Sequence, residues 1–350
     1  MTSDQISRRN VSGRKREHLR AIAEDPDVER RGTDFAAMRL LHRAMPALDL
    51  DAIDTGVAFL GKRLRFPLLI SSMTGGDGQE IALINRRLAE AAEATGVAMA
   101  VGSQRVMFVE PAAQASFELR QYAPETVLIA NLGAVPLNAG FGAEQCARAV
   151  DVLGADGRYL HLNPLQEAVQ PEGDRNFSGL GAAIARLVPQ MDVPVLLKEV
   201  GAGLSEADIR RGLDAGIVHF DVAGRGGTSW SRIEYHRRAS ETDDLGLVFQ
   251  DWGLTTVEAL LGAQPVLKSC GKPTTLIASG GIRSGIDMAK ALILGADMCG
   301  VAAPFLSAAQ ESREAVIDRI EQLRRQFQTA MFLLGCADCD ALKENHDLLK

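Results

Sequence analysis

Residues 274–302 read TTLIASGGIRSGIDMAKALILGADMCGVA, and this stretch decides the fold. It begins with a short β-rich run that ends at Ser279, and it continues through a glycine-rich turn into a helical pattern that stops at Gly295. A second run, Met298–Ala302, follows at once. Continuous apolar runs predict parallel strands that are covered on both faces, so the stretch predicts one strand–helix–strand unit.

The same alternation extends over most of the chain. Helical patterns separate the runs, and the last of them carries one apolar stripe from Val316 to Met331. Eight strand–helix repeats in one α/β domain predict a closed (β/α)8 TIM barrel, whereas a doubly wound open sheet is the alternative. The eight predicted strands are Pro67–Ser71, Ala98–Ser103, Thr126–Leu132, Tyr159–Asn163, Val193–Val200, Ile217–Ala223, Thr274–Ser279 and Met298–Ala302.

Three segments lie outside this repeat pattern. Residues 1–66 are too polar for a core of their own, so we expect an N-terminal extension or lid on a barrel that spans residues 67–335. Residues 336–350 are expected to form a C-terminal tail. The segment Arg225–Leu247 is long, polar and rich in glycine, which predicts a functional or mobile loop after the sixth strand.

The composition excludes several classes of protein. The 350 residues carry a net charge of −7, so no global basic field points to nucleic acid. No run of about eighteen apolar residues predicts a transmembrane helix, and no apolar stretch follows the basic N-terminus as in a secretory signal. We therefore expect a cytoplasmic protein. Five scattered cysteines argue against a disulfide framework, and Cys336 and Cys339 are interpreted as free thiols.

Polar residues follow the predicted strands at the end where a barrel carries its active site. The richest group lies at the fourth strand, where a single carboxylate, Glu167, accompanies His161 and two amides. A histidine grouped with amides and a carboxylate at one strand end predicts a site, and Glu167 suits Mg²⁺ bound to a diphosphate. The candidate site residues at the first four strand ends, all polar except Met73, are Ser71, Ser72, Met73, Thr74, Ser103, Gln104, Arg105, Asn131, His161, Asn163, Gln166 and Glu167.

Lys198 is the one basic residue in the apolar fifth strand. A buried lysine is costly unless it meets an anion, and Glu199 is a poor partner because neighbours on a strand face opposite ways. A lysine beside the N1–O2 edge of a reduced, anionic flavin would explain it. A Schiff-base lysine is the competing interpretation.

The loops after the last three strands predict a phosphate site. Gly224–Trp230 combines glycines with hydroxyls, and Trp230 could wall an apolar substrate. Ser279–Gly285 lies between a strand and a helix, and the eighth strand ends at Ala302-Ala303. Barrels bind phosphate at this position with backbone N–H groups and a helix N-terminus. The phosphate of FMN, of a sugar phosphate and of a nucleotide monophosphate all fit this pattern.

Together these motifs resemble those of the type 2 isopentenyl diphosphate isomerases, over nearly the whole chain from Arg14 to Ala303. The strand-four motif and the N-terminal Arg-Lys-x-x-His are the family-specific ones. The motifs read Arg14-Lys15-x-x-His18, Met73-Thr74-Gly75-Gly76, Ser103-Gln104-Arg105, Asn131-Leu132-Gly133, His161-x-Asn163-x-x-Gln166-Glu167, Lys198-Glu199, Gly226-Gly227-Thr228-Ser229-Trp230 and Ser279-Gly280-Gly281-Ile282-Arg283.

The resemblance implies an enzyme that interconverts isopentenyl and dimethylallyl diphosphate, with FMN, Mg²⁺, and NADPH or NADH as reductant. It implies Gln166 and Lys198 as catalytic residues, Glu167 as the metal ligand, and a homo-oligomer, a tetramer or an octamer. The implied FMN contacts are Ser72, Met73, Thr74, Ser103, Asn131, Lys198, Thr228, Gly281, Ile282, Arg283, Ala302 and Ala303. The implied substrate contacts are Arg14, Lys15, His18, Arg105, His161, Asn163, Gln166 and Trp230, so that the arm near residues 14–18 would clamp the diphosphate.

Three alternatives stay open. An FMN-dependent 2-hydroxy-acid dehydrogenase or oxidase shares the strand-seven loop, but it needs a histidine base directly after strand seven. No histidine stands there in this chain, and His236, which precedes strand seven, is the only late-barrel candidate. A flavin-free lyase would use Lys198 as a Schiff base. A barrel that only binds a phosphate ligand is disfavoured by the grouped polar residues from His161 to Glu167.

Overall fold

The computed structural model describes residues 17–350 apart from residues 19, 23, 31, 74, 77 and 238–242. Eight parallel strands, β1 to β8, pair in chain order, and β8 pairs with β1 to close a barrel. Each predicted run overlaps one of these strands, so the predicted TIM barrel is confirmed. The strands are Leu68–Ile70, Ala98–Ala100, Leu128–Gly133, Gly157–Leu162, Val195–Glu199, His219–Asp221, Thr275–Ser279 and Met298–Val301.

Helices surround the barrel and bury their apolar faces against it. Ser205 and Asp208 form a capping box at the start of α5, and Ser284 with Asp287 does the same for α9. The helices α1 to α12 are Gln79–Thr95, Ala143–Leu153, Pro164–Val169, Leu180–Leu187, Glu206–Asp214, Trp230–His236, Leu245–Val248, Thr256–Ser269, Gly285–Ile293, Ala303–Glu311, Arg313–Leu334 and Cys339–Leu342. Two 3₁₀ segments, Gln104–Phe108 and Pro111–Phe117, stand in place of a helix after β2.

A short hairpin closes the N-terminal end of the barrel. Val57–Phe59 pairs antiparallel with Lys62–Leu64 just before β1. Phe59 and Leu64 are buried in one cluster with residues of the barrel interior, among them Tyr159. The barrel interior is therefore packed at this end, and the cavities lined by the predicted site residues lie at the opposite one.

The segments at the two ends of the chain pack on each other and on the barrel. Leu40 pairs with Leu349, and Asp54 pairs with Asp338, in isolated bridges. Phe35 is fully buried in the main core, to which Cys336 and Cys339 also belong. Both cysteines are free, and burial raises the pKa of Cys339 to about 12. Within the described ranges, no group of three or more His, Cys, Asp or Glu side chains could hold a metal ion.

The segment after β6 differs from the predicted loop because it contains the helix α6. Ser229 caps this helix by accepting a hydrogen bond from the N–H of Arg232, and Ile233 on the helix is fully buried. This seven-residue helix has too few apolar positions to produce a recognisable helical pattern in the sequence. Among the described residues, no helix has the length and apolar character needed to cross a membrane.

Candidate active site

Two of the cavities at the C-terminal ends of the strands share the walls formed by Ser72, Lys198, Val200 and Trp230. The first, of about 890 Å³, is lined by residues from the ends of β1 to β5. The second, of about 580 Å³, is lined by the loops after β6, β7 and β8. The predicted site residues that line one or both are His18, Ser72, Met73, Ser103, Arg105, Asn131, His161, Asn163, Gln166, Glu167, Lys198, Thr228, Trp230, Gly281, Ile282, Arg283, Ala302 and Ala303.

The predicted site therefore assembles in one place. Arg14, Lys15 and Thr74, which the family resemblance also implies, lie outside the described residues. His18 is buried, with Nε2 3.1 Å from Glu234 Oε1 and its ring 5.3 Å from the Trp230 ring. The N-terminal segment thus reaches the barrel mouth, as the sequence predicts.

The first cavity carries a chain of hydrogen bonds along β3, β4 and α3. His161 Nδ1 lies 2.8 Å from Asn131 Oδ1. Asn163 donates from Nδ2 to Gln166 Oε1 at 3.0 Å and to Glu167 Oε1 at 2.9 Å. Glu167 Oε2 accepts from the backbone N–H of Asp174 at 2.6 Å. Amide orientations and carboxylate positions are therefore fixed before a ligand binds.

Glu234, on α6, fixes the other end of the Gln166 amide. Its Oε1 accepts from Gln166 Nε2 at 2.9 Å, and its Oε2 accepts from Arg237. Burial alone would raise the pKa of Glu234, but the hydrogen bond and charge of His18 and the charge of Arg237 outweigh it, so the pKa is lowered. An ionised Glu234 can only accept, and it therefore holds the Gln166 amide in one orientation.

Lys198 has an anionic partner that the sequence analysis did not identify. Its Nζ donates to Asp221 Oδ2 at 2.8 Å and to Ser279 Oγ at 3.1 Å. Asp221 lies directly opposite Lys198 in the β5–β6 pairing, is fully buried, and also accepts from the Tyr159 hydroxyl at 2.8 Å. Asp221 therefore gives the buried Lys198 an anionic partner within the protein, and Lys198 also lines both cavities.

Glu199 holds the loop that follows β5. One carboxylate oxygen accepts from the N–H groups of Val200, Ala202 and Gly203. Burial is the main cause that raises the pKa of Glu199 to about 7, while these donors act in the opposite direction. The loop that it holds supplies Val200 to both cavities.

The second cavity has the features of a phosphate site. Gly280 and Gly281 adopt positive φ angles of 106° and 78°, which glycine accepts most readily, and they pack against the β6 loop. The N-termini of α9 and α10 follow the β7 and β8 loops. Arg283 and Thr228 both contact the Glu29 carboxylate, with Arg283 Nη2 2.8 Å from it, so backbone N–H groups are the donors left for a phosphate.

The residues present fit FMN. The hydroxyl of Ser72 is buried on the wall shared by the two cavities and has no hydrogen-bond partner in the described part of the chain. A buried hydroxyl without a protein partner is open to a hydrogen bond from a ligand or an ordered water. The phosphate loops lie on one side of it, and Lys198, Asn131 and Ser103 lie on the other. The arrangement suits a ligand with a phosphate at one end and a polar ring at the other.

Several residues of the site were not predicted from the sequence. Glu29 and Asp174 line the cavities, and Asp221, Glu234 and Arg237 lie just behind the lining residues. Asp221 had a signal, since it is a charged residue in an apolar strand that neighbours the strand of Lys198. The others act across large sequence separations, so no local pattern indicates them.

Comparisons with known proteins show the fold and the family of this chain. Residues 162–348 match the family model described as FMN-dependent dehydrogenase. A flavocytochrome b2 variant with benzoylformate has a TM-score of 0.66 at 19% identity, covering 97% of this chain and 79% of that one. A mandelate oxidase variant with a monooxide FMN adduct has a TM-score of 0.60 at 20% identity, covering 90% and 88%. These structures show the fold.

Two sequence relatives are much more similar to this chain than the solved structures are. The protein named isopentenyl-diphosphate delta-isomerase from Paracoccus zeaxanthinifaciens is 63% identical over 341 residues, covering 97% of this chain and 98% of that one. The protein of the same name from Hydrogenovibrio crunogenus (strain DSM 25203 / XCL-2) is 53% identical over 340 residues, with 97% and 98% covered. With its closed barrel, its phosphate loops and relatives that match it from end to end, this chain belongs to the FMN-dependent, type 2 family of isopentenyl-diphosphate delta-isomerases.

Proposed function

We propose that the protein interconverts isopentenyl and dimethylallyl diphosphate by a 1,3-allylic proton shift, with reduced FMN and Mg²⁺ and without net oxidation or reduction. The observation that carries this proposal is the pair of joined cavities. One has phosphate loops for FMN, and the other has His161, Asn163, Gln166 and Glu167 for a second anionic ligand.

FMN would be held by the β7 and β8 loops at its phosphate, and by Ser72, Ser103, Asn131 and Lys198 at its ring. When bound, reduced FMN would supply an acid–base group and an electron-rich ring beside the alkene, with NADPH or NADH as the reductant that primes it. Lys198 donates a charged hydrogen bond toward this end of the cavity and favours negative charge there. Its ammonium is kept in place by Asp221 and Ser279.

The diphosphate would lie against Arg105, His161 and Asn163, with Arg14, Lys15 and His18 contributing from the N-terminal segment. Mg²⁺ would bind Glu167 and the diphosphate oxygens, since Mg²⁺ usually takes one or two carboxylates together with substrate oxygens. Gln166 would orient or relay a proton at the reacting carbons. Trp230 and the N-terminal segment would exclude water, which would otherwise react with a tertiary cation.

The first experiment is an absorption spectrum of the purified protein. We expect a flavin spectrum that anaerobic NADPH bleaches. Isopentenyl diphosphate with Mg²⁺ should then yield dimethylallyl diphosphate without consumption of NADPH in each turnover. A flavin spectrum without isomerisation would instead favour a 2-hydroxy-acid oxidoreductase, and a colourless protein that FMN cannot reconstitute would exclude the flavin mechanism.

Substitution of Gln166 and Glu167 should separate chemistry from cofactor binding. We expect Gln166→Ala to lower kcat by about 10²-fold, because a group that positions a proton is lost. We expect Glu167→Ala to raise the Mg²⁺ concentration required roughly tenfold or more. Both variants should retain FMN, as measured by the flavin to protein absorbance ratio. Gln190→Ala, an exposed glutamine far from the site, is the control, and full activity in either test variant would remove that residue's role.

The 2-hydroxy-acid oxidoreductase is less favoured by the geometry. The histidines that line the described cavities are His18 and His161, and both line the first cavity. His18 contacts Glu234, and His161 contacts Asn131. His236, the late candidate base, pairs with Asp25 at 2.6 Å and lines neither cavity. No observation in the site therefore supplies the histidine base that this reaction requires.

A further inference from the structure

Arg237, at the C-terminal end of α6, contacts three carboxylates that belong to three different parts of the site. Its Nε lies 3.0 Å from Glu17 in the N-terminal segment, its Nη1 contacts Glu234, and its Nη2 contacts Glu172 in the segment after α3. The Arg237 side chain is 8% exposed. Burial acts to lower its pKa, and the three carboxylates together raise it instead, so the guanidinium stays charged.

Each contact leads to a residue of the proposed active site. Glu17 precedes His18, which contacts Glu234. Glu234 accepts from the Gln166 amide. Glu172 lies two residues before Asp174, which pairs with Arg105 and donates its N–H to Glu167. The planar guanidinium presents donors in three directions at once, and a lysine ammonium cannot reproduce this geometry.

We propose that Arg237 is a positioning residue that holds Glu17, Glu172 and Glu234 together and thereby fixes the orientation of Gln166; this inference rests on the proposed isomerase function. With the segment in place, Glu17 and Glu172 share the guanidinium with Glu234, which stays ionised and accepts from Gln166. Without Arg237, three carboxylates face one another and Glu234 retains His18 as its remaining cationic partner among the described residues. A protonated Glu234 can donate as well as accept, so the Gln166 amide is no longer held in one orientation.

The chain supplies a matched control in Arg232, which lies on the same helix. Arg232 donates to Asp25 of the N-terminal segment from Nε at 2.5 Å and from Nη2 at 3.2 Å. Its hydrogen bonds to other described residues do not include Glu234 or Gln166, and its Nη1 donates to Gln250 instead. Arg232→Gln should therefore weaken the attachment of the N-terminal segment and leave Glu234 undisturbed. Arg237→Gln should weaken that attachment and also remove a contact of Glu234.

The test compares steady-state isomerisation by the FMN-loaded wild type and the two variants at saturating Mg²⁺. We expect both variants to raise KM. Only Arg237→Gln should also lower kcat, by roughly 10²-fold, because misplacement of a positioned group carries a cost of this order. Arg237→Lys should recover part of kcat while KM stays raised. If Arg237→Gln does not fold, the same comparison can be made between Arg237→Lys and Glu172→Gln. Of these two, Glu172→Gln should raise KM without lowering kcat.

The pH profile of kcat gives a second measurement. The groups that face Glu234 in the described chain are His18 and Arg237, with Glu17 and Glu172 behind Arg237. Loss of the guanidinium charge raises the pKa of Glu234, so the acid limb should move to higher pH in Arg237→Gln and stay in place in Arg232→Gln. Equal kcat values and equal acid limbs in these two variants would overturn the inference. Absence of isomerisation in the wild type would instead overturn the proposed function.

Discussion

Replacing Gly280 by alanine should abolish FMN binding and lower the free energy of unfolding by about 4 kcal/mol or more. A Cβ atom at this position would lie 2.0 Å from the backbone oxygen of Gly224 and 2.7 Å from Thr256 Oγ1. The φ angle of 106° is also one that alanine rarely adopts. The β6 and β7 loops are joined here by the hydrogen bond from Gly224 N to Ser279 O, so neither loop can move away without loss of the phosphate site.

Gly271→Ala is the matched control for Gly280→Ala. Gly271 also has a positive φ angle, of 69°, but a Cβ atom there would meet nothing within 4 Å. Gly271→Ala should therefore lower the free energy of unfolding by the backbone strain alone, about 1 kcal/mol. The variant should retain FMN. Chemical denaturation and the flavin absorbance of the purified variants measure both quantities. Retention of FMN by Gly280→Ala with the affinity of the wild type would show that the phosphate does not bind at this loop.

Replacing Asp221 by asparagine should destabilise the protein by about 3–5 kcal/mol, because it leaves the buried Lys198 ammonium without a counter-charge. Asp221 accepts from Lys198, Ser279, Tyr159 and the backbone of Ala223, and it is fully buried. Burial and the charge of Asp221 raise the pKa of Tyr159, so its hydroxyl stays a donor to this carboxylate. An asparagine would present an amide N–H₂ group to these donors.

A second substitution separates the charge from the hydrogen bonds. Adding Lys198→Met to Asp221→Asn removes the unpaired charge, and we expect it to restore a large part of the lost free energy of unfolding. The control is Glu206→Gln, which breaks an exposed pair with Arg210 on α5 and should cost no more than about 0.5 kcal/mol. Similar unfolding curves for Asp221→Asn and Glu206→Gln would contradict the importance of the buried pair.

The sequence predicted the barrel because the determinants of this fold are local. Parallel strands that are covered on both faces are continuous apolar runs, and their C-terminal ends collect polar residues, as at His161 and Asn163. The stops at Gly216 and Gly295 were also readable, since both follow helices and have positive φ angles. One strand–helix–strand unit was enough to indicate the repeat.

The interactions that hold the site together were not predictable in the same way. Lys198 and Asp221 are opposite each other only because β5 and β6 pair in one particular register, which no local pattern in the sequence fixes. The contact between His18 and Glu234 joins residues 216 positions apart. Such contacts depend on how the N-terminal segment crosses the finished barrel, so the sequence could suggest His18 but not its partner.

The hairpin that closes the N-terminal end of the barrel leaves a single entrance for every ligand. Glu29 of the N-terminal segment lines the phosphate cavity and pairs with Arg283, so a flavin phosphate bound there would lie beside this carboxylate. A substrate would enter, and its product would leave, by the same route above the flavin. Each cycle would then require the ion pairs between the N-terminal segment and α6 to open and form again, and the rate of this exchange would set the upper limit of turnover.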